Sequence, residues 1–152
     1  MRDSVGGTFM IYLILIFLAI YIAFVAVAFN YARAFRVKNK VIDIIEQNEG
    51  MYDSDFDNLS GTNSVGVAGQ INEYLRSVSY DVNLSEGNKK NRGICFDRGY
   101  CIDEIDSYSD IDGVEAKYYK VTTFVRLELP FLNLGFTIPV KGETRKIERI
   151  NS

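Results

Sequence analysis

The sequence predicts an α+β protein: a single N-terminal transmembrane helix that extends into an amphipathic helix and packs on a small antiparallel β-sheet domain. Three observations carry this reading. Residues 9–29, FMIYLILIFLAIYIAFVAVAF, run for 21 positions without a charge or a side-chain amide. Residues 30–49 follow with no Gly or Pro and with apolar residues at helical spacing. The last third of the chain alternates apolar and polar residues with a period of two, as a half-buried strand does.

Taken in order, residues 1–8 (MRDSVGGT) form a short polar leader. It reads as a cytoplasmic tail or as a prepilin-type leader cut after Gly6 or Gly7. A secretory signal peptide is a third reading, since Ala26-Val27-Ala28 has the A-x-A form, although the apolar run exceeds the usual h-region. Residues 9–29 amount to about 31 Å of helix, near the hydrocarbon thickness of a bilayer. The run holds fourteen Leu, Ile, Phe and Val residues. At about −0.3 to −0.6 kcal/mol each, they favour insertion by roughly 4 to 8 kcal/mol. Ala19, Ala23 and Ala26 fall at i, i+4, i+7. Such a stripe either lets a second helix approach closely or simply faces lipid.

The helix is expected to continue through residues 30–50. Val37, Val41, Ile44 and Ile45 make its apolar stripe, Arg36, Lys38, Lys40 and Asp43 lie between them, and Gly50 stands at the C-cap. Its partner would be the sheet of its own domain, around Val121, Val125 and Leu127, or a neighbouring subunit.

Residues 51–152 then make one small α+β domain. Its opening, MYDSDFDNLSGTNSVGVAG, reads as a solvated acidic loop. Asp53, Asp55 and Asp57 have the 1, 3, 5 spacing of a calcium loop, but Asn58 stands at the glycine position and Ser64 at the final Glu position. A helix is predicted over 70–78, from Ile71, Tyr74, Leu75 and Val78. Tyr80, Val82 and Leu84 alternate with polar residues as a strand would, and a polar, basic loop (SEGNKKNRG) follows. In GICFDRGYCID, a three-residue turn at 97–99 with Gly99 left-handed would set Phe96 opposite Tyr100 and Cys95 opposite Cys101. Directly opposed Cα atoms lie within disulfide range, so a bridge is expected, with two unpaired thiols as the rival.

DEIDSYSDIDGVE, at 103–115, reads as a second acidic loop. Tyr119, Val121, Thr123, Val125, Leu127 and Leu129 then line one face of a long strand that Pro130 stops. After PFLNLG, Phe136, Ile138 and Val140 open a partner strand that runs to about Ile147. One apolar and one polar face describe an antiparallel sheet covered on a single side, with the helical stripe as the cover.

Net charge is −3, which leaves no footprint for nucleic acid, and histidine is absent. With two cysteines there is no transition-metal ligand set to propose. No nucleophile–base pair and no glycine-rich phosphate loop stands out, so neither catalysis, a cofactor nor a small-molecule substrate is expected. The partners expected are the lipid bilayer and other subunits.

The RDSVGGTF start, the helix running on past the apolar segment, and the closing hairpin KVTTFVRLELPFLNLGFTIPVKGETRKIE resemble the TadE-like proteins. These are minor pilins or pseudopilins of Tad-type (Flp) type IV pilus systems, and the resemblance spans essentially the whole chain. It implies a structural, non-catalytic subunit of an envelope assembly. Thr8 departs from the family, which usually carries Glu just before the aromatic that opens the apolar run. Orientation draws on opposed cues. Arg33, Arg36, Lys38 and Lys40 just after the run would hold the C-terminal side in the cytoplasm by the positive-inside rule. The cysteine pair and the resemblance place that domain outside, and an extracytoplasmic C-terminal domain on a single-pass anchor is the expectation.

Overall fold

A computed structural model of the chain describes residues 2–57, 66–108, 115–129 and 134–148. The chain is α+β. Helix α1 spans Arg2–Gln47, α2 Asp53–Asp57, α3 Val67–Ser77 and α4 Glu86–Lys89. The strands are β1 Ile94–Phe96, β2 Tyr100–Tyr108, β3 Glu115–Leu129, β4 Leu134–Glu143 and β5 Ile147–Glu148. They form one antiparallel sheet ordered β1-β2-β3-β4, with β5 also pairing β3.

α1 is one helix of 46 residues, about 69 Å long. It begins at Arg2, so residues 2–8 are helical and continuous with the apolar run. Its two halves differ because their surroundings do. From Gly6 to Leu18 every side chain is exposed, whereas Ala34, Val37, Val41, Ile44 and Ile45 are buried. From Val37 onward the stripe packs in one core with Ile71 and Leu75 of α3, with Phe96, Tyr100 and Ile102, and with Tyr119 and Val121 of β3. Each such side chain contributes roughly 1.5 to 3 kcal/mol. Val125 and Leu127, expected in the same contact, form a second cluster with Ala34, Val140 and Val27, nearer the apolar half.

α1 ends in paired backbone bonds, Gly50 N–H to Ile45 O at 2.9 Å and Glu49 N–H to Glu46 O at 3.3 Å. The cap therefore falls one residue from expectation: Glu49 (φ 57°) takes the left-handed position and Gly50 follows it. α3 closes in the same way on Ser79 (φ 51°), with Tyr80 N–H bonded to Leu75 O at 2.8 Å. Lys38, read as lying on the polar side, is buried. A Cβ on Gly142 would come within 2.8 Å of its stem, and its ammonium sits 4.1 Å from the Phe35 ring. The aliphatic stem covers the sheet while the charge finds an aromatic face.

Four further differences have physical causes. Tyr80, Val82 and Leu84 alternate in burial as a strand would, yet residues 80–85 form no ladder. Their one backbone bond to the sheet is Val82 N–H to Arg98 O, 3.3 Å. The acidic stretch after Cys101 is strand β2 as far as Tyr108, paired with β3 from Tyr100↔Thr123 to Tyr108↔Glu115. Lys117 neutralises it, bonding Glu104 and lying 3.7 Å from Asp106. The face away from α1 is not simply polar, since Phe124 and Thr122 are buried there and Arg92 lies 5.3 Å over the Phe124 ring. Finally, the last strand does reach Ile147, but the register slips by one residue between Lys120↔Glu143 and Lys117↔Ile147. At that bulge Thr144 Oγ1 takes over the ladder by accepting from Tyr119 N–H at 3.0 Å. Glu46 of α1 clamps it, accepting from Arg145 N–H at 2.8 Å.

Ile45→Ala should cost about 2 to 5 kcal/mol in denaturant unfolding of the full chain in detergent. Asp43→Ala, one helical step round on the exposed side, should stay within about 0.5 kcal/mol of the parent.

Candidate functional site

The surfaces available for function follow from α1. Among the described residues one helix, from Gly6, is long and apolar enough to cross a membrane, and its most apolar window has no buried residue. Gly6 and Gly7 lie on that helix with nothing within 4 Å of a Cβ built on either. Ala19 and Ala23 are half-buried by their own helix and Ala26 is exposed. The stripe is thus open to a neighbour or to lipid. At Val27 the apolar run touches the domain.

Just beyond the run, α1 fastens α3. Arg33 Nη2 donates to the carbonyls of Val78 and of Ser79, the latter at 2.7 Å, so a guanidinium closes the C-terminal end of that helix. The next residue, Tyr80, fastens the sheet. β2 stops at the Tyr100↔Thr123 pair, which leaves Phe124 without a strand partner on that side. Tyr80 Oη fills the vacancy. It accepts from Phe124 N–H at 2.8 Å, and its proton is shared between Phe124 O (2.9 Å) and Gly99 O (3.0 Å). Burial pushes the Tyr80 hydroxyl up to about 12, against the opposing pull of the Phe124 backbone bond and the Arg33 charge. Burial, then the Asp55 charge, push the Tyr100 hydroxyl higher still. Lys117 is held above its ordinary value, chiefly by its hydrogen bond to Glu104.

Of the expected acidic loop, residues 58–65 lie outside the described residues; Asp53 and Asp57 are exposed as expected, but Asp55 is not. Asp53 opens the short helix α2, and Asp55 is buried. Its Oδ1 accepts from Ala68 N–H in the first turn of α3 at 3.2 Å, and its Oδ2 from Tyr52 N–H at 3.1 Å. A carboxylate placed there satisfies a free helix donor and the positive helix end together. Among the described residues no group of three or more metal-ligating side chains is gathered.

Cys95 and Cys101 are directly opposed, with Cα atoms 3.9 Å apart and sulfurs at disulfide distance, 1.98 Å. The turn that sets this register has Gly99 left-handed (φ 85°) and Phe96 stacked on Tyr100 at 4.6 Å. On the same outer face, a cleft of about 420 Å³ is lined by Arg92, Lys120, Thr122, Lys141, Asp103 and Glu143. Arg92 Nε and Nη1 are themselves buried, without a hydrogen-bond acceptor, while Lys120 pairs with Glu143 at 3.6 Å. Three cations and two carboxylates thus share the described lining of the cleft.

Arg33, Asp55, Tyr80 and Arg92 were not legible as a set. Each acts on backbone or rings distant in sequence, and local patterns read them as a flanking charge, a loop acid, a strand residue and a loop base. No protein-family model, curated protein or solved structure matches the chain.

Tyr80→Phe should lower stability by about 1 to 3 kcal/mol at neutral pH, because Phe124 N–H is left buried without an acceptor. The folded-state value of this hydroxyl, about 12, lies above the ordinary 10.0. Its contribution is therefore fully present below pH 10 and is lost as pH climbs towards 12. Urea midpoints measured across that range should fall for the parent and fall less steeply for Tyr80→Phe.

Reducing the Cys95–Cys101 pair should remove about 2 kcal/mol, the entropy of so short a loop. Non-reducing peptide mapping of the native protein should recover the two cysteines joined.

Proposed function

We propose that the chain is a structural, pilin-like (pseudopilin) subunit of a Tad-type pilus or secretion assembly. Residues 9–29 anchor it in the membrane, and the sheet domain stands on the extracytoplasmic side. The observation that carries this reading is the continuity of α1. One helix is bare and apolar through its N-terminal half and is the spine of the domain's core through its C-terminal half. A bare apolar half carrying a stripe of small residues suits lateral packing among like helices.

Export is supported by the opposed cysteines, which suit an oxidising compartment. The basic residues after the apolar run weigh less against it once their contacts are considered. Arg33 closes α3 and Lys38 lies along Gly142, so both serve the fold on whichever side the domain stands. The outer-face cleft, lined by Arg92, Lys120 and Lys141 together with Asp103 and Glu143, favours a second reading, a membrane-anchored extracytoplasmic module that binds a ligand or partner.

Photo-crosslinking in native membranes separates the two. A crosslinker at Ala23 or Ala26 should yield adducts with other helix-bearing subunits, while one at Tyr21, round the helix, should yield fewer. Amino-terminal sequencing of the same material should find a start just after Gly6 or Gly7. Lipid adducts alone at all three positions, with Met1 retained, would sink the pseudopilin reading in favour of the binding module.

A further inference from the structure

We infer that the β3–β4 ribbon around Val125, Leu127, Phe136 and Ile138 lies in the membrane interface, so that the chain is held by a helix and a β-ribbon together. This rests on the anchoring role proposed for residues 9–29 and goes beyond it. β3 runs along α1 towards the apolar half. Gly142, the partner of Val121, lies against Lys38 and Ile42; Thr123 Oγ1 donates to Ala34 O at 3.2 Å; and Val125 and Leu127 share a cluster with Val27. Val27 is two residues inside the apolar run, about 3 Å below its end. β3 continues for two residues past Leu127, to Leu129 paired with Leu134, a further 6 to 7 Å or so of strand. A bilayer that covers the flanks of Val27 therefore also meets the ribbon.

The side chains there suit that medium. Phe136 is the cross-strand partner of Leu127 and Ile138 that of Val125, so both stand on the face turned towards α1. Neither is covered by it: Phe136 is 50% and Ile138 41% exposed. Around the same level α1 exposes Phe29, Tyr31 and Phe35, an aromatic collar of the kind found at headgroup height. The backbone sets the depth. β2 ends opposite Thr123, so the ribbon beyond Phe124 has two strands with outward edges. Unpaired backbone groups cost several kcal/mol each in hydrocarbon, which holds the ribbon at the interface and out of the bilayer core. The continuity of this apolar rim with the membrane run selects lipid as its occupant.

The chain has no tryptophan, so a single one is a clean reporter. Full-length variants Phe136→Trp, Ile138→Trp, Phe17→Trp and Tyr52→Trp would be reconstituted in phosphatidylcholine vesicles, with bromine placed either near the headgroup end of the acyl chains or near the midplane. Phe17→Trp, inside the run, should be quenched most by midplane bromine. Tyr52→Trp, at the opposite end of the domain, should not be quenched. Phe136→Trp and Ile138→Trp should emit to the blue and lose more emission to shallow bromine than to deep. If they are as insensitive as Tyr52→Trp while Phe17→Trp is quenched, the inference fails and the anchor stands. Blue emission that ignores bromine but changes with protein-to-lipid ratio would assign the rim to a second copy and equally overturn it. If Phe17→Trp is itself unquenched, the anchoring reading fails and the hairpin inference falls with it.

Discussion

The seam between α1 and β3 is the contact on which the rest of the molecule depends. Val37, Val41 and Ile45 are essentially inaccessible, and the core they begin takes in α3, the turn after α1 and the first three strands. Remove that contact and what remains is an amphipathic helix with no cover and a sheet with an exposed apolar face, neither of which is stable alone in water. Gly142 sets how closely the seam closes. Where a Cβ would strike Lys38 and Ile42, its absence lets helix and strand approach. Tyr119 closes the same seam at its far end. Its ring lies against Gly50, and its hydroxyl accepts from Met51 N–H at 3.2 Å, just where α1 gives way to the domain.

Around this seam, polar side chains do the fastening. Asp55 holds the start of α3, Arg33 its end, Tyr80 the exposed edge of β3, and Thr144 with Glu46 the bulge in the last strand. In each case the group satisfied is a backbone donor or acceptor that regular secondary structure leaves over. The loops of this small domain are thereby tied to its helices and sheet without a large core.

What the sequence displays and what it hides follow from the range of the forces involved. The apolar run, the amphipathic extension and the cysteine hairpin are local: periodicity or a three-residue turn determines them, and Val37, Val41, Ile44, Ile45 and the Cys95↔Cys101 register fall where the pattern puts them. β2 was hidden because Glu104 and Asp106 look like loop acids until Lys117 arrives from the next strand. Residues 80–84 misled in the opposite direction. Their alternating burial is real, but the bonds go to a turn carbonyl and through the Tyr80 hydroxyl instead of into a ladder. Asp55 was hidden for a third reason, since the helix it caps begins a dozen residues further along the chain.

The continuity of α1 also has a mechanical meaning. With no linker between the apolar half and the core, the domain cannot swivel on the apolar half. A pull along the axis reaches the sheet as shear along the α1–β3 seam, and a rotation of the apolar half becomes torque on the whole domain. Such a strut, about 69 Å long, turns small displacements at the apolar end into directed movement of the cysteine hairpin and the outer-face cleft.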